Sequence, residues 1–221
     1  MIKLYGLDVS FPVNRVRLCL NAMGQDYEFI RMSPIAGETQ TDDFLKMSPS
    51  GKIPAIDVDG FTLFESNTIM KYLCRKFDSD FYASDCEGQA NIDKWLDFTA
   101  IHVANGVGKV LLNKFLAPII EVEVDEQSLE DGKNFITRFF TVVDNQLANS
   151  TYLARDTLSI ADFCLLATVD PAEALEVDMS AFPNLDSWQK KLMAEEFYKK
   201  MHNSYVEALE VMMRALSAES A

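Results

Sequence analysis

Basic side chains are scarce in this sequence: 20 Lys and Arg stand against 34 Asp and Glu, a formal net charge of −14. A nucleic-acid binder needs a basic footprint to displace counterions, so that class is excluded. Anionic membrane surfaces are disfavoured for the same reason. Cysteine is also sparse, with Cys19, Cys74, Cys86 and Cys164 far apart and no CxxC. That spacing excludes a disulfide framework and points to free thiols in a reducing compartment. Only two histidines are present, and no Cys/His/Asp spacing suits zinc, so no metal is expected. Nine Gly and seven Pro are too few for collagen-like or low-complexity architecture. No apolar run approaches the ~18 residues of a membrane span. The opening Met1–Gly6 lacks the marks of a signal peptide and reads as a strand, so a cytoplasmic protein is expected.

What is present is ordinary globular material. Hydrophobic residues make up 48% of 221, with 15 Phe and 7 Tyr, enough to bury a core without staples. The charge is uneven. Residues 1–77 hold nine basic and nine acidic side chains, so residues 78–221 carry the whole −14. This break suggests two domains, 1–77 and 88–221, joined by a polar, turn-rich linker at 78–87.

The first part mixes strand and helix signals. Ile2–Leu7 reads as a strand. Pro12–Met23 reads as a helix with Val13, Val16, Cys19, Leu20 and Met23 on one face, stopped by Gly24. Tyr27–Met32 is a second strand, and Thr41 caps a short helix through Met47. Residues 55–64 alternate about Asp59-Gly60, a tight hairpin turn. Ser66 then opens a helix to Phe77. The order is β-α-β-α-β-β-α. The second part reads as all helix: a long run over Gly88–Leu116, another over Ser128–Ala148, a third from Ser159, and shorter ones in Asn184–Ser217. The stretch Ile120–Val124 reads as a loop. Cys19 and Cys74 read as packing residues.

Four local features carry chemistry. Ser10 lies between the first strand and the first helix. Its hydroxyl cannot act as a base near neutral pH, but it can donate a hydrogen bond to a thiolate, and the helix beginning near Pro12 adds a favourable dipole. A lone Ser here also suits a plain N-cap. Ser48-Pro-Ser-Gly-Lys-Ile-Pro54 leads into the hairpin, and its proline also suits an ordinary edge strand. Glu65-Ser66 opens a helix, and a helix N-terminus binds carboxylates. Ser159-Ile-Ala-Asp162 is a capping-box start with Asp in place of Glu, a folding element.

In this order and spacing, the four features resemble the soluble glutathione transferases over essentially the whole chain. Tyr5-Gly-x-x-x-Ser10-x-Pro12-x-x-Arg15-Val16-Arg17 resembles the opening of the serine-type classes (theta, phi and many bacterial members). Pro49-x-Gly51-Lys52-Ile53-Pro54 resembles their Asn-Pro-x-Gly-Lys-Val-Pro loop, with Ser48 in place of Asn. Phe64-Glu65-Ser66-Asn67-x-Ile69 resembles their glutamyl-binding segment. The resemblance implies a thioredoxin-like α+β domain followed by an all-α helical bundle. It implies glutathione as co-substrate, a cis Ile53-Pro54 peptide, and a homodimer that conjugates a small hydrophobic electrophile. Ser10 would stabilise the thiolate. Gln40, Lys52, Ile53, Pro54, Glu65 and Ser66 would bind the rest of glutathione. Thr39 and Gln40 stand where relatives often carry a cation for the glycyl carboxylate. Phe11, His102 and Phe115 are candidates for the electrophile pocket, and Asp97 for a contact across the dimer. Disulfide reduction or peroxide chemistry, and a non-catalytic glutathione-binding scaffold, are the alternatives.

Overall fold

The computed structural model describes residues 1–219; residues 220–221 of the expected helical half lie outside them. The chain begins β1 (Ile2–Gly6), α1 (Phe11–Ala22), β2 (Glu28–Arg31), a 3-10 turn (Glu38–Gln40), α2 (Asp42–Met47), β3 (Ala55–Val58), β4 (Phe61–Phe64) and α3 (Ser66–Lys76). The four strands form one sheet in the order β2-β1-β3-β4. β2 runs parallel to β1, with Tyr5 opposite Ile30, and β3 runs antiparallel, with Tyr5 opposite Ala55. The β3–β4 turn sits at Asp59-Gly60, both with positive φ (54° and 91°), the geometry such hairpin turns require.

Everything after β4 is helical. α3 is followed by α4 (Cys86–Phe98), α5 (Ala104–Leu111), α6 (Ala117–Ile119), α7 (Glu126–Leu147), α8 (Ile160–Val169), α9 (Pro183–Met193), α10 (Glu196–Lys199) and α11 (Tyr205–Glu219). The fold is a thioredoxin-like sheet domain followed by an all-helical domain. Among the described residues no helix is long and apolar enough to cross a membrane.

Three details differ from the sequence reading. α4 starts at Cys86, two residues earlier than the expected Gly88, because the Asp85 carboxylate accepts from the Gly88 N–H and caps it. The run to Leu116 is not one regular helix. Wide π turns at Thr99–Val103 and Leu112–Leu116 interrupt it. In the first, the Ala104 N–H reaches back five residues to the Thr99 carbonyl. At the second, the Asn113 side-chain amide donates to the Lys109 carbonyl (2.9 Å), and Pro118 supplies no N–H. Third, α1 is buried all round. Asn14, Arg15 and Arg17 are buried along with Val13, Val16, Cys19 and Leu20, because α1 is wedged between α3 and α8. Cys19 and Cys74 meet in this packing with sulfurs 4.0 Å apart.

α8 is the central helix of the second half, every residue from Ile160 to Val169 being buried. Its start is fixed by Asp162. Oδ1 accepts from the Leu153 N–H (2.8 Å), and Oδ2 accepts from the Ser159 N–H and hydroxyl (both 2.9 Å). Burial outweighs these bonds and pushes the Asp162 carboxyl up to about 6.

Asp162→Ala should therefore cost about 2–4 kcal/mol in chemical denaturation, because it leaves buried donors unpaired. Since the folded-state value lies above the unfolded one, the Asp162 contribution is greatest below pH 4. It should decline by up to about 3 kcal/mol as pH rises through 6. Stability measured from pH 4 to 7 in wild type and Asp162→Asn checks this, since the variant should lack that component.

Candidate active site

A cleft opens where the start of α1, the loop before β3 and the β4–α3 junction face the first π turn and the start of α5. It is a cavity of about 390 Å³. Phe11, Pro12 and Arg15 of α1 form one side; Lys52, Ile53 and Pro54 form a second; Phe64, Glu65 and Ser66 form a third. Ala100, Ala104 and Asn105 close it from the helical half. The first π turn places Ala100 on this wall.

Ser10 occupies the N-cap position of α1 in extended conformation, directly before Phe11. Its carbonyl accepts from the Asn14 N–H (2.9 Å). Its hydroxyl makes no capping bond. The hydroxyl is thus left available at a helix N-terminus beside the cleft, although Ser10 is not among the residues that line it.

The loop from Ser48 to Pro54 is held from within. Ser48 is buried, and its hydroxyl donates to the Lys52 carbonyl (2.8 Å). The Ile53-Pro54 peptide is cis. Gly51 has φ 63°, and a Cβ there would lie 2.4 Å from Gln40 Nε2. The left-handed φ favours glycine at this position, and the Gln40 amide packs against it. Gln40 is exposed on its 3-10 turn and lies over this loop, outside the cleft lining. Lys52 is exposed.

Glu65 caps α3 with φ 71°. A non-glycine residue in the left-handed region costs on the order of 1–3 kcal/mol and clusters at functional sites. The turn it makes leaves Ser66 buried at the first position of α3, at the bottom of the cleft.

The sequence reading assigned no role to Arg15, which is the most informative residue here. It is 4% exposed. Its guanidinium donates to Thr168 Oγ1 of α8 (2.9 Å) and reaches Ser66 Oγ (3.4 Å), and it lies 5.5 Å from the centre of the Phe11 ring. Nε has no partner. Among the described residues no carboxylate pairs with it. A desolvated cation on a cleft floor, next to a helix N-terminus, is built to receive an anion. Arg15 and Arg17 share the motif that opens the chain, and both are buried; their partners distinguish them, since Arg17 pairs with Asp8 (3.1 Å) and donates to the Met201 carbonyl (3.0 Å).

Two expected pocket residues, His102 and Phe115, do not line this cleft. His102 sits on the first π turn and packs between Phe98 (5.3 Å) and Phe139 (4.9 Å). The π turn swings it to the α7 side. Phe115, like Val9, packs against the Tyr205, Leu209 and Met212 cluster of α11. Asp97 is exposed on α4.

Known proteins match this arrangement along the chain. Residues 1–75 match the family pattern described as Glutathione S-transferase, N-terminal domain, and residues 107–196 that of the Glutathione S-transferase, C-terminal domain. Glutathione S-transferase F13 of Arabidopsis thaliana is 30% identical over 165 residues, 73% of this chain and 75% of that one. The chain belongs to the glutathione S-transferase family. Glutathione S-transferase 4 of Zea mays is 29% identical over 208 residues, 90% of this chain and 91% of the other. Among solved structures, glutathione S-transferase-I bound with lactoylglutathione superposes with a TM-score of 0.82 at 25% identity, covering 90% of this chain and 97% of that one. The chain is a transferase enzyme of this family.

The unpaired cation gives a direct expectation. Arg15→Met should leave the ligand-free protein within about 1 kcal/mol of wild type, or more stable, because an uncompensated buried charge is removed. Thr168 keeps its bond to the Cys164 carbonyl (2.7 Å). Carboxylate ligands should raise the melting temperature of wild type and not of the variant. A large loss of stability in ligand-free Arg15→Met would show that Arg15 is a structural residue.

Proposed function

We propose that this chain is a serine-dependent glutathione transferase, resembling the theta and phi classes, that conjugates glutathione to a small hydrophobic electrophile. The observation that carries this reading is the Ser10 hydroxyl, free of capping duty at the head of α1, beside a cleft whose floor holds the buried Arg15 and the N-terminus of α3.

Glutathione fits the cleft by chemistry. Its glutamyl carboxylate meets Ser66, the N-terminus of α3 and Arg15; its ammonium meets Glu65. The Ile53 backbone, fixed by Pro54, pairs with the cysteinyl peptide in strand-like fashion. Lys52 and Gln40 serve the glycyl carboxylate. The relative solved with lactoylglutathione supports this choice of ligand.

Ser10 then acts on sulfur. A free thiol has a pKa of about 8.5. Lowering it by about two units needs ~2.7 kcal/mol of preferential anion stabilisation. One hydrogen bond to a charged group gives ~1.5–3 kcal/mol, and the α1 dipole adds to it. The thiol proton leaves to solvent, and the thiolate attacks the electrophilic carbon. A C–S bond forms, and the leaving group departs with the bonding pair. Catalysis is thiol activation plus proximity. Phe11 and Phe64 supply apolar walls for the electrophile, and Ala100 and Ala104 leave room for it.

In this reading residues 1–77 bind glutathione, 78–87 connect, and 88–221 complete the electrophile site. The protein works in the cytoplasm as a homodimer, with Asp97 offered to the partner subunit's glutathione. The neutral first part facing a strongly acidic second part supports that pairing.

Ultraviolet titration of bound glutathione tests the central role. Wild type should show a thiol pKa well below that of free glutathione. Ser10→Ala should bind glutathione but restore the pKa by about 1–2 units, with kcat at neutral pH falling about 10- to 100-fold. Binding with an unshifted pKa in wild type would refute the mechanism.

A further inference from the structure

The turn that presents Ser10 is held by side chains from both ends of the chain. The Ser10 N–H closes it on the Leu7 carbonyl (3.1 Å). Asn14 donates to the Asp8 carbonyl (2.8 Å), and Arg17 to the Asp8 carboxylate (3.1 Å). Both come from α1. A third bond comes from 196 residues away: the Tyr205 hydroxyl donates to the Val9 carbonyl (2.9 Å). That carbonyl belongs to the peptide joining Val9 to Ser10. A peptide unit is planar, so fixing its oxygen fixes the plane from which Ser10 springs.

Tyr205 is itself firmly placed. It is 3% exposed and packs with Leu209 and Met212. The His202 ring stands edge-on to it at 6.3 Å. Behind them Asp170 accepts from the Tyr198 hydroxyl (2.6 Å) and pairs with His202 Nε2 (2.9 Å). Arg17 also donates to the Met201 carbonyl (3.0 Å), binding this segment to α1. Burial and the Asp170 charge hold the Tyr205 phenol well above its ordinary value, so it remains a donor wherever the enzyme would work.

We propose that Tyr205 is a positioning residue for Ser10: by gripping the Val9 carbonyl, the start of α11 sets the angle at which the Ser10 hydroxyl meets the glutathione sulfur. The proposal rests on the reading of Ser10 as the thiolate's hydrogen-bond donor. It makes the last helix part of thiol activation without contact to glutathione. A misaimed donor loses most of a charge-assisted bond, and errors of about 1 Å in placement cost up to about 100-fold in rate.

The test compares Tyr205→Phe with Leu209→Ala, which trims the same helix and leaves the hydroxyl in place. For each, the thiol pKa of bound glutathione, kcat and the glutathione KM are measured. Tyr205→Phe should raise the bound thiol pKa and lower kcat about three- to tenfold, with KM unchanged. Leu209→Ala should lower stability and leave the thiol pKa at the wild-type value. A wild-type pKa in Tyr205→Phe overturns the proposal, as does an equal shift in Leu209→Ala, which would mean that general packing of α11 is responsible. If Tyr205→Phe does not fold, Tyr205→Met, which also removes the hydroxyl and fills its place with an apolar side chain, is read in the same way. Ser10→Ala is run in parallel: if it leaves the thiol pKa unmoved, the underlying reading fails and the proposal with it. If Ser10→Ala shifts the pKa and Tyr205→Phe does not, the positioning role alone is wrong.

Discussion

The bond from Arg15 to Thr168 joins the two halves of the molecule at the floor of the cleft. α1 and α3 belong to the sheet domain and α8 to the helical one, and the guanidinium touches all three through its own chain, Ser66 and Thr168. Burying a cation without a carboxylate costs stability unless something else supplies the charge. Here the cleft above it is open to a ligand. One side chain therefore stands both at the contact between the two halves and on the floor of the cleft. α8 must be buried all round to stand against α1, and its start must be satisfied internally, which is the work of Asp162.

The sulfur end of the cleft follows a different logic. Ser10 is the N-cap residue of a helix that it does not cap. Its turn is stitched by Asn14 and Arg17 from nearby and by Tyr205 from the far end of the chain. A hydroxyl that neither satisfies the helix nor is left loose can spend its hydrogen bond on a ligand. Fixing its backbone in advance spares that cost when the ligand binds.

Much of this was legible in the sequence where local chemistry decides. Asp59-Gly60 announced its hairpin because positive φ suits few other dipeptides. Thr41, Ser66 and Ser159 announced helix starts, since unsatisfied N–H groups require partners or solvent there. The segments around Ser10, Ile53-Pro54 and Glu65-Ser66 were readable as a set, and the fold brings Ile53, Pro54, Glu65 and Ser66 to one cleft beside Ser10. What was not legible depends on contacts remote in sequence. Periodicity gave α1 a single apolar face and assigned nothing to Arg15 and Arg17; Arg15 meets Thr168 of α8, 153 residues later, and Arg17 reaches the Met201 carbonyl. The π turns leave no mark in a 3.6-residue pattern, yet they decide that Ala100 faces the cleft while His102 packs on Phe139. Phe115 looked like a pocket residue because it is aromatic on a long helix, but the arrival of α11 claims it.

The most direct test of the account is a calorimetric double-mutant cycle. Glutathione and an analogue lacking the glutamyl α-carboxylate are titrated into wild type and Arg15→Met. If the buried cation receives that carboxylate, wild type should prefer glutathione by about 10- to 100-fold, and the variant should bind both ligands with nearly equal, weak affinity. Equal discrimination by both proteins would contradict the account, because the carboxylate would then be recognised without Arg15.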